Sequence, residues 1–425
     1  MTARVVVPQW WAEALALPSL EVARGLYALE PWGGAPPPSV RSFSDGIAYA
    51  TLSVLAWRPG AQQVLLHVSN ATDAHREDFR PWLMQRLPGT PLFALTVEMP
   101  ADAIVSYRIA DVTGLPYDIG GTRAGWKKVH ELGVPDEHNP HRIRTPLGGD
   151  ASVWYGPDAP WHGWPATEAE QAVVDPAADA HCPWVVVERG GLRFDVLPGD
   201  ERVVVLYDGQ FLRSHRLDGA MAAEGLGHTV VLVDCGTFDQ RRDILTVPDR
   251  AAQVTREALA AARAANRSEQ MDGQACEQTC EQAYVIAGQS YGALAVATLC
   301  AHYPGLARAG LAQSGSYWFD PAEDPSARGT TQGQPGSSEG LLLRQLRQGL
   351  GDVDTPMIIQ VGSEEGGMRS LSQAYFEVLQ SRRAPHVSYR EVRGGHDYAW
   401  WRHGIIDALK QFDAFFADQH QYLRH

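Results

Sequence analysis

The stretch that decides the fold is Val285-Ile286-Ala287-Gly288-Gln289-Ser290-Tyr291-Gly292, an apolar strand that runs into Gly-x-Ser-x-Gly. A run of small residues typical of a helix, residues 293–297, follows at once. Serine at such a strand-to-helix corner is held in a strained backbone conformation with its hydroxyl exposed, and the flanking glycines avoid side-chain collisions. The pattern therefore predicts a nucleophile elbow, and with it a serine hydrolase.

Apolar runs on both sides of the elbow predict the buried strands of a parallel sheet. Helical patterns lie between or after these runs, and two further apolar strands around Arg189-Gly190-Gly191 predict a hairpin. We expect a doubly wound α/β domain of the α/β-hydrolase type, with functional loops at the carboxyl ends of its strands. The predicted central strands are 203–207, 229–233, 284–287, 309–312 and 357–361, and the predicted helices are 249–265, 291–303, 368–382 and 404–419.

The N-terminal part of the chain has a different pattern. Residues 42–155 contain short alternating runs separated by turn residues, which predict a β-sandwich, and residues 8–27 before them favour a helix. A proline- and tryptophan-rich stretch, residues 156–165, leads into polar sequence and predicts a linker. We therefore expect a smaller N-terminal β-sandwich domain over residues 1–170 and an α/β-hydrolase catalytic domain over residues 181–425.

An α/β-hydrolase places its acid and its histidine after the serine, each on a loop beyond a later strand. Glu364 and Glu365 follow the predicted strand 357–361, and His396 stands behind two glycines near the end of the chain. Ser290 would attack, His396 would accept its proton, and a glutamate would orient the imidazole. We favour Glu365 over Glu364. The alternative for either glutamate is that it is a solvated surface charge. The alternative for His396 is that it is a loop histidine that makes a hydrogen bond to the backbone.

Backbone N–H groups are the expected oxyanion donors. The first is that of Tyr291, at the start of the helix behind the nucleophile. The second should come from the loop after strand 203–207, where Gly209 permits a tight turn. The N–H of Gly209 or of Gln210 is the candidate, and Asp208 can equally be a turn former.

Composition excludes several classes of partner. The formal charge of −14 argues against nucleic acid and anionic membranes, although a local arginine cluster could still receive an anionic small molecule. No segment reaches the roughly 18 consecutive apolar residues of a membrane span. The N-terminus lacks the layout of a secretory signal, so we expect a cytoplasmic protein. We also expect a monomer or a weak homodimer.

The cysteines predict reduced thiols. There are five, an odd number scattered over a long chain, which argues against a disulfide framework. Cys276 and Cys280 have the spacing of half a metal site, but no second pair lies nearby in the sequence and the surroundings are typical of a solvated insertion. We expect no metal and no cofactor.

Three motifs together resemble the enterochelin (enterobactin) esterases: residues 287–292 (AGQSYG), residues 313–318 (QSGSYW) and residues 394–397 (GGHD). Residues 54–58 and 136–140 also resemble the amino-terminal β-domain of that family. The resemblance covers nearly the whole chain. It implies a cytoplasmic enzyme that cuts the trilactone backbone of an imported tricatecholate siderophore, so that iron can be released.

The resemblance also implies roles for residues. Ser290 matches the family nucleophile, His396 the general base and Glu365 the acid. Family members carry a basic patch for the anionic ferric complex, for which the candidates here are Arg241 and Arg242, with Arg369 and Arg402 as weaker ones. Guanidinium groups suit this substrate because they stack on catechol rings and pair with their oxygens. Tyr317 and Trp318 are expected to line the pocket, the alternative being core or rim packing.

The sequence departs from the family pattern in three places. The glutamate usual after the arginine loop is replaced around Asp243-Ile244, residues 268–282 form an insertion, and Tyr291 stands where phenylalanine is frequent. Two other functions stay open at this point. One is a general carboxylesterase acting on feruloyl, acetyl or thioester substrates, and the other is a protein that binds a ferric siderophore or a peptide without cleaving it.

Overall fold

The computed structural model describes residues 3–28, 42–44, 46–146, 148–161, 183–269, 282–322 and 338–422. Contacts divide the chain into two compact units: Met1–Trp164 with Val392–Trp400, and Pro165–Glu391 with Trp401–His425. The segment Val392–Trp400, predicted as part of the catalytic domain, thus groups with the first unit. Among the described helices, none has the length and apolar character needed to cross a bilayer.

The first unit is a β-sandwich of two antiparallel sheets, as predicted. In the long strand β3, Leu52, Val54 and Ala56 face the core between the sheets, whereas Leu55 faces the other way. The first sheet contains β1 (Arg4–Val6), β2 (Ser42–Ser44), β3 (Ile47–Trp57), β5 (Gln85–Arg86) and β6 (Leu92–Pro100). The second contains β4 (Val64–Val68), β7 (Ile104–Asp111), β8 (Gly133–Val134), β9 (Arg142–Arg144) and β10 (Asp150–Tyr155).

Two helices cover the outer face of the first sheet, and a third contacts β7 of the second. The predicted helical segment 8–27 is two helices, α1 (Gln9–Ala16) and α2 (Leu20–Ala28), because Pro18 between them cannot continue a helix. Trp11 of α1 and Ala23 of α2 are buried with Leu55 of β3. The third helix, α3 (Arg123–Leu132), starts at Thr122, whose hydroxyl accepts the N–H of Gly125. This helix was not predicted.

The second unit is built on a mixed eight-stranded sheet in the order β11-β12-β14-β13-β15-β16-β17-β18. The pairs from β14 through β17 are parallel, and β11 with β12 forms the predicted antiparallel hairpin. All five predicted central strands are confirmed. The strands are β11 (Val185–Arg189), β12 (Leu192–Leu197), β13 (Val203–Tyr207), β14 (Thr229–Val233), β15 (Ala283–Gln289), β16 (Ala307–Gln313), β17 (Met357–Gly362) and β18 (Val387–Val392).

Helices pack against this sheet through one continuous apolar core. The four predicted helices are present, and α8, which follows the elbow, is buried along nearly its whole length. The helices are α4 (Gly209–Ser214), α5 (Leu217–Ala223), α6 (Phe238–Leu245), α7 (Pro248–Glu269), α8 (Tyr291–His302), α9 (Leu341–Arg347), α10 (Gly367–Ser381) and α11 (Tyr398–Tyr422).

Some predicted features lie outside the described residues. These are Cys276 and Cys280, most of the linker, most of the insertion 268–282 and most of the Gly- and Ser-rich loop 326–340.

Candidate active site

The nucleophile elbow has the predicted geometry. Ser290 stands between β15 and α8 with φ 59° and ψ −116°, a positive φ that side chains other than glycine rarely adopt. A Cβ on Gly288 would lie 2.5 Å from the carbonyl carbon of Gly292, so strand and helix can approach this closely only with glycine there. Strain of this kind is typical of functional sites.

Neighbouring backbone holds the elbow in place. The N–H of Ser290 donates to the carbonyl of Gln313 (3.0 Å), and the Ser290 carbonyl accepts from the N–H of Ser316 (3.1 Å) and of Leu294 (3.1 Å). The hydroxyl oxygens of Ser290 and Ser316 are 3.3 Å apart. The loop after β16 is therefore the immediate neighbour of the nucleophile.

Three buried glutamines link the carboxyl ends of β15, β16 and β17. Gln289 Nε2 donates to Gln313 Oε1 (2.8 Å), and Gln313 Nε2 donates to Gln360 Oε1 (2.8 Å) and to the carbonyl of Trp401 (3.0 Å). These residues occupy paired positions in the sheet. Buried amides that bond to one another favour a single geometry at these strand ends. This network was not predicted, although Gln289 and Gln313 each end an apolar strand.

The expected second oxyanion donor lies at the start of α4. Asp208 precedes that helix with φ 57°, so the positive φ belongs to Asp208 and not to Gly209. Glycine is required at 209 because a Cβ there would lie 2.3 Å from Leu232 Cβ. The prediction that Gly209 permits a tight turn is thus wrong in its reason. Glycine is needed there because the backbone packs closely against β14.

Arg241 joins this loop to the elbow. Its Nε donates to Asp208 Oδ2 (2.7 Å), its Nη2 to the carbonyl of Gln289 (3.3 Å), and its guanidinium lies 5.3 Å from the ring centre of Tyr291. The Asp208 side chain is 0% exposed. The arginine predicted to receive substrate is thus bound within the protein to both segments that carry the expected oxyanion donors.

Aromatic rings surround the start of α8. The ring of Tyr291 lies 5.9 Å from that of Trp318, 5.8 Å from that of Phe319 and 6.5 Å from that of Phe238. Phe238 is half exposed, whereas Trp318 and Phe319 are partly buried. We call these four residues the aromatic cluster. Two of its members were predicted to have roles, Tyr291 as a backbone oxyanion donor and Trp318 as a residue lining the substrate pocket.

Tyr317 does not line a pocket. Its side chain is 0% exposed, its ring lies 4.7 Å from that of Tyr375, and it belongs to the main apolar core. Burial raises the pKa of its hydroxyl, so the group stays protonated. Tyr317 therefore packs in the core, which was the alternative to lining a pocket. Gly315 leaves room for its ring, since a Cβ there would lie 2.3 Å from Tyr317 Cζ.

The other predicted arginines differ in exposure. Arg242 is partly exposed and lies 3.5 Å from Asp243. Arg369 is the most exposed of the three and is paired with Glu391 at 2.9 Å. Arg402 is buried on α11, which limits direct contact with a bulky substrate.

The loop after β17 carries the expected acid. Glu365 is buried, and its Oε1 accepts hydrogen bonds from Ser314 Oγ (2.5 Å) and from the N–H of Gly362 (2.8 Å). Glu364 is only partly buried, and its Oε1 accepts from Ser363 Oγ at 3.0 Å. The two neighbouring carboxylates therefore have different surroundings, and Glu365 is the one held by a buried hydrogen-bond network.

The loop of His396 is packed on the β-sandwich of the first unit. The N–H of Ser106 donates to Asp397 Oδ2 (2.7 Å), the N–H of Ile104 to the carbonyl of Arg393 (2.9 Å), and the N–H of His396 to Asn70 Oδ1 (3.2 Å). These contacts fix the loop backbone while leaving the His396 residue exposed.

Close approach explains the two glycines before His396. A Cβ on Gly395 would lie 2.1 Å from Asn70 Cγ, and one on Gly394 would lie 2.8 Å from the carbonyl oxygen of Ile104. The two glycines thus admit the β-sandwich residues that hold the His396 loop.

Comparison with known proteins finds similarity to one group of enzymes. Residues 54–165 match the model described as "Enterochelin esterase, N-terminal". The "Iron(III) enterobactin esterase" of Escherichia coli O6:H1 (strain CFT073) is 26% identical over 372 residues, which are 82% of this chain and 86% of that protein. The chain is therefore similar to the enterochelin esterases over most of its length. The enzyme of the same name from Dickeya dadantii (strain 3937) is 34% identical over 132 residues, 30% of this chain and 28% of that protein.

Solved structures of enterochelin esterases share the fold. The crystal structure of the enterobactin esterase from Shigella flexneri in the presence of enterobactin has a TM-score of 0.67 at 22% identity, covering 88% of this chain and 95% of that one. The structure of the enzyme from Salmonella typhimurium gives 0.65 at 22% identity, covering 88% and 96%. The predicted resemblance to the enterochelin esterases and the predicted fold, an α/β-hydrolase domain with an N-terminal β-sandwich, are confirmed.

Proposed function

We propose that this protein is a serine esterase that hydrolyses the trilactone backbone of a catecholate siderophore of the enterobactin type, in its ferric form, through an acyl-Ser290 intermediate. The observation that carries the proposal is the strained backbone of Ser290 at a strand-to-helix corner, with φ 59°. The relatives named iron(III) enterobactin esterase support the substrate and its ferric form. Permitting release of iron is the proposed outcome of the reaction.

The reaction begins at Ser290. Its hydroxyl oxygen attacks the carbonyl carbon of a lactone ester while His396 accepts the hydroxyl proton. The carbonyl oxygen becomes an oxyanion, which the backbone N–H groups of Tyr291 and of Gly209 stabilise. The Arg241 bridge between Asp208 and the Gln289 carbonyl supports this role, because it ties together the segments bearing the two donors.

Collapse of the tetrahedral intermediate breaks the ester C–O bond. The departing alkoxide takes the proton from His396, and the acyl group remains on Ser290. Water, deprotonated by the same histidine, then attacks the acyl carbon and releases a carboxylic acid. Glu365 orients His396 and stabilises its charged form, a role supported by the buried network around its carboxylate.

Substrate recognition would combine aromatic and cationic groups. We assign contact with the catechol rings to Trp318 and Phe238 of the aromatic cluster, and attraction of the anionic complex to Arg242. Arg241 would act mainly through the oxyanion loop. Arg402 is a weaker candidate because it is buried. The iron is part of the substrate, and the reaction needs no resident cofactor.

A cytoplasmic location is part of the proposal. It is supported by Cys235 and Cys300, both buried free thiols, since reduced cysteines are usual in that compartment.

Product analysis tests the function. Ferric and iron-free enterobactin are incubated with wild type, with Ser290→Ala and with the matched control Ser381→Ala, an exposed serine at the end of α10. Chromatography of the products, beside an aryl acetate assay, should show linear trimer, dimer and monomer with wild type and Ser381→Ala only. The ferric complex should be turned over faster.

Two outcomes would contradict the proposal. An intact trilactone with rapid aryl acetate turnover would overturn the substrate and favour the general carboxylesterase. Products that persist at the wild-type rate in Ser290→Ala would overturn the acyl-serine mechanism.

A further inference from the structure

A cluster of two histidines and one aspartate lies in the first unit, and the proposed esterase chemistry does not use it. His67 is on β4, Asp73 begins the short 3-10 helix Asp73–His75, and His130 is in the last turn of α3. One potential ligand atom from each residue lies within 4.8 Å of the other two. The fold thus brings together residues that are up to 63 positions apart in the chain.

We propose that His67, Asp73 and His130 bind a divalent first-row transition-metal cation, through Nε2 of each imidazole and a carboxylate oxygen of Asp73. Two imidazoles and one carboxylate form a donor set that proteins use for zinc and for iron(II), with remaining positions open to water. The site is distinct from the predicted esterase residues, and its test is independent of the proposed function.

The distances fit a cation with small adjustments. His67 Nε2 lies 3.3 Å and His130 Nε2 lies 3.9 Å from Asp73 Oδ1. Ligands about 2.0–2.1 Å from a tetrahedral zinc ion are separated by roughly 3.4 Å. The first distance already meets this value, and a small rotation of the His130 side chain would bring the second to it.

Surrounding hydrogen bonds hold the aspartate. Trp126 Nε1 donates to Asp73 Oδ1 (2.6 Å), and the N–H of Asn70 donates to Asp73 Oδ2 (2.6 Å). Thr72 fixes the same turn, since its hydroxyl accepts from the N–H of Val68 (2.9 Å). Partners of this kind orient ligands and tune metal affinity.

The burial of the cluster leaves an approach for an ion. His67 is buried, whereas Asp73 and His130 are only partly buried. The rings of the two histidines are 4.4 Å apart at 76°, and each lies edge-on to Trp126, which forms one wall. A partly exposed site with one apolar wall can exchange a cation with solvent.

Arg108 opposes cation binding. Arg108 on β7 lies opposite His67 on β4 in the antiparallel sheet. Its Nη1 donates to the His130 carbonyl at 2.9 Å. Its Nη2 donates to Thr145 Oγ1 and to the Gly148 carbonyl, which are neutral acceptors. Its positive charge therefore weakens the site. We expect a lower affinity than in a structural zinc site with four protein ligands.

Calorimetry with Zn²⁺ on chelator-treated full-length protein tests the proposal. All proteins carry Cys276→Ser and Cys280→Ser, which removes the cysteine pair as a competing ligand. The test variants are His130→Gln and Asp73→Asn, and the matched control is His75→Gln, an exposed histidine two residues from Asp73. The parent and the control should bind one Zn²⁺ per chain. Both test variants should bind at least about 100-fold more weakly, since even supporting residues change affinity 10–100-fold.

A second measurement does not depend on the variants folding. Crystals of the parent protein soaked in Zn²⁺ should show an anomalous difference peak between His67, Asp73 and His130. Equal binding by all folded variants, or an anomalous peak only elsewhere, would overturn the proposal. It would also be overturned if no Zn²⁺ bound at all, and the cluster would then be a hydrogen-bonded network around the Asp73 carboxylate.

Discussion

Ser314 donates a hydrogen bond of 2.5 Å from its hydroxyl to Oε1 of Glu365, in a site where both residues are buried. The direction of this bond is fixed. Trp401 Nε1 is a donor only and lies 2.9 Å from Ser314 Oγ, so the serine oxygen accepts from the indole and its proton points at the carboxylate. Ser314 also has a φ of 53°, a backbone conformation that few residues other than glycine adopt.

Removing this hydroxyl should weaken turnover and leave substrate binding unchanged. In Ser314→Ala the Glu365 carboxylate loses a partner and can rotate, so we expect kcat to fall about 10-fold with little change in KM, as loss of a hydrogen bond to a charged group implies. Steady-state kinetics on the siderophore measure the effect. Ser363→Ala, which removes the hydroxyl beside Glu364, is the matched control and should leave kcat unchanged. A lower kcat in Ser363→Ala with an unchanged kcat in Ser314→Ala would identify Glu364 as the acid.

Arg241 should contribute to stability and kcat more than to KM. Arg241→Gln leaves the buried Asp208 without its cation, so we expect a loss of about 2–3 kcal/mol in the free energy of unfolding and a lower kcat. Denaturant unfolding and kinetics check the two effects. Arg242→Gln is the control, because that side chain is partly exposed and should change only KM for the anionic substrate. A higher KM alone for Arg241→Gln, with unchanged stability, would restore its role as a substrate ligand.

The β-sandwich should contribute to catalysis through Asn70. Asn70 Oδ1 accepts the N–H of His396, and φ is 63° at Asn70. Asn70→Gly keeps that backbone conformation while removing the side chain, so we expect kcat to fall several-fold. Asn70→Asp retains the acceptor and should be closer to wild type. Equal kcat in wild type and Asn70→Gly, with the same melting temperature, would contradict a positioning role for this contact.

His403 should make the protein less stable in acid. Burial, and secondarily the nearby Arg402 charge, lowers the pKa of His403 to about 2. Its pKa in the unfolded chain is about 6.5, so below that pH the unfolded state binds the extra proton. Stability should therefore fall as pH drops below about 6.5, by up to about 1.4 kcal/mol per pH unit from this residue, with no effect above about pH 7.5.

Unfolding measured between pH 7.5 and 4.5 checks this slope. His403→Gln should flatten it, whereas His75→Gln, at an exposed position, should not. An unchanged slope in His403→Gln would show that other groups cause the acid sensitivity.

Local sequence determined much of the fold. The hairpin and the five central strands of the second unit, four of its helices and the elbow at Ser290 were predicted, because β-branched runs, helical periodicity and Gly-x-Ser-x-Gly express interactions between residues close in the chain. The β-sandwich followed from its alternating strands in the same way. The candidate acid and histidine followed from chain order, which the fold type constrains.

Tertiary structure decided what the side chains of the site contact. The sequence could not show that Arg241 pairs inward with Asp208, that Tyr317 packs in the core, or that Ser314 holds Glu365. Nor could it show that the β-sandwich holds the His396 loop, or that His67 meets His130. Each of these contacts joins residues distant in the chain or depends on which way a loop turns, and periodicity carries no information on either. The sequence by itself thus determined the scaffold and the order of the predicted catalytic residues, and packing determined the contacts that hold and tune them.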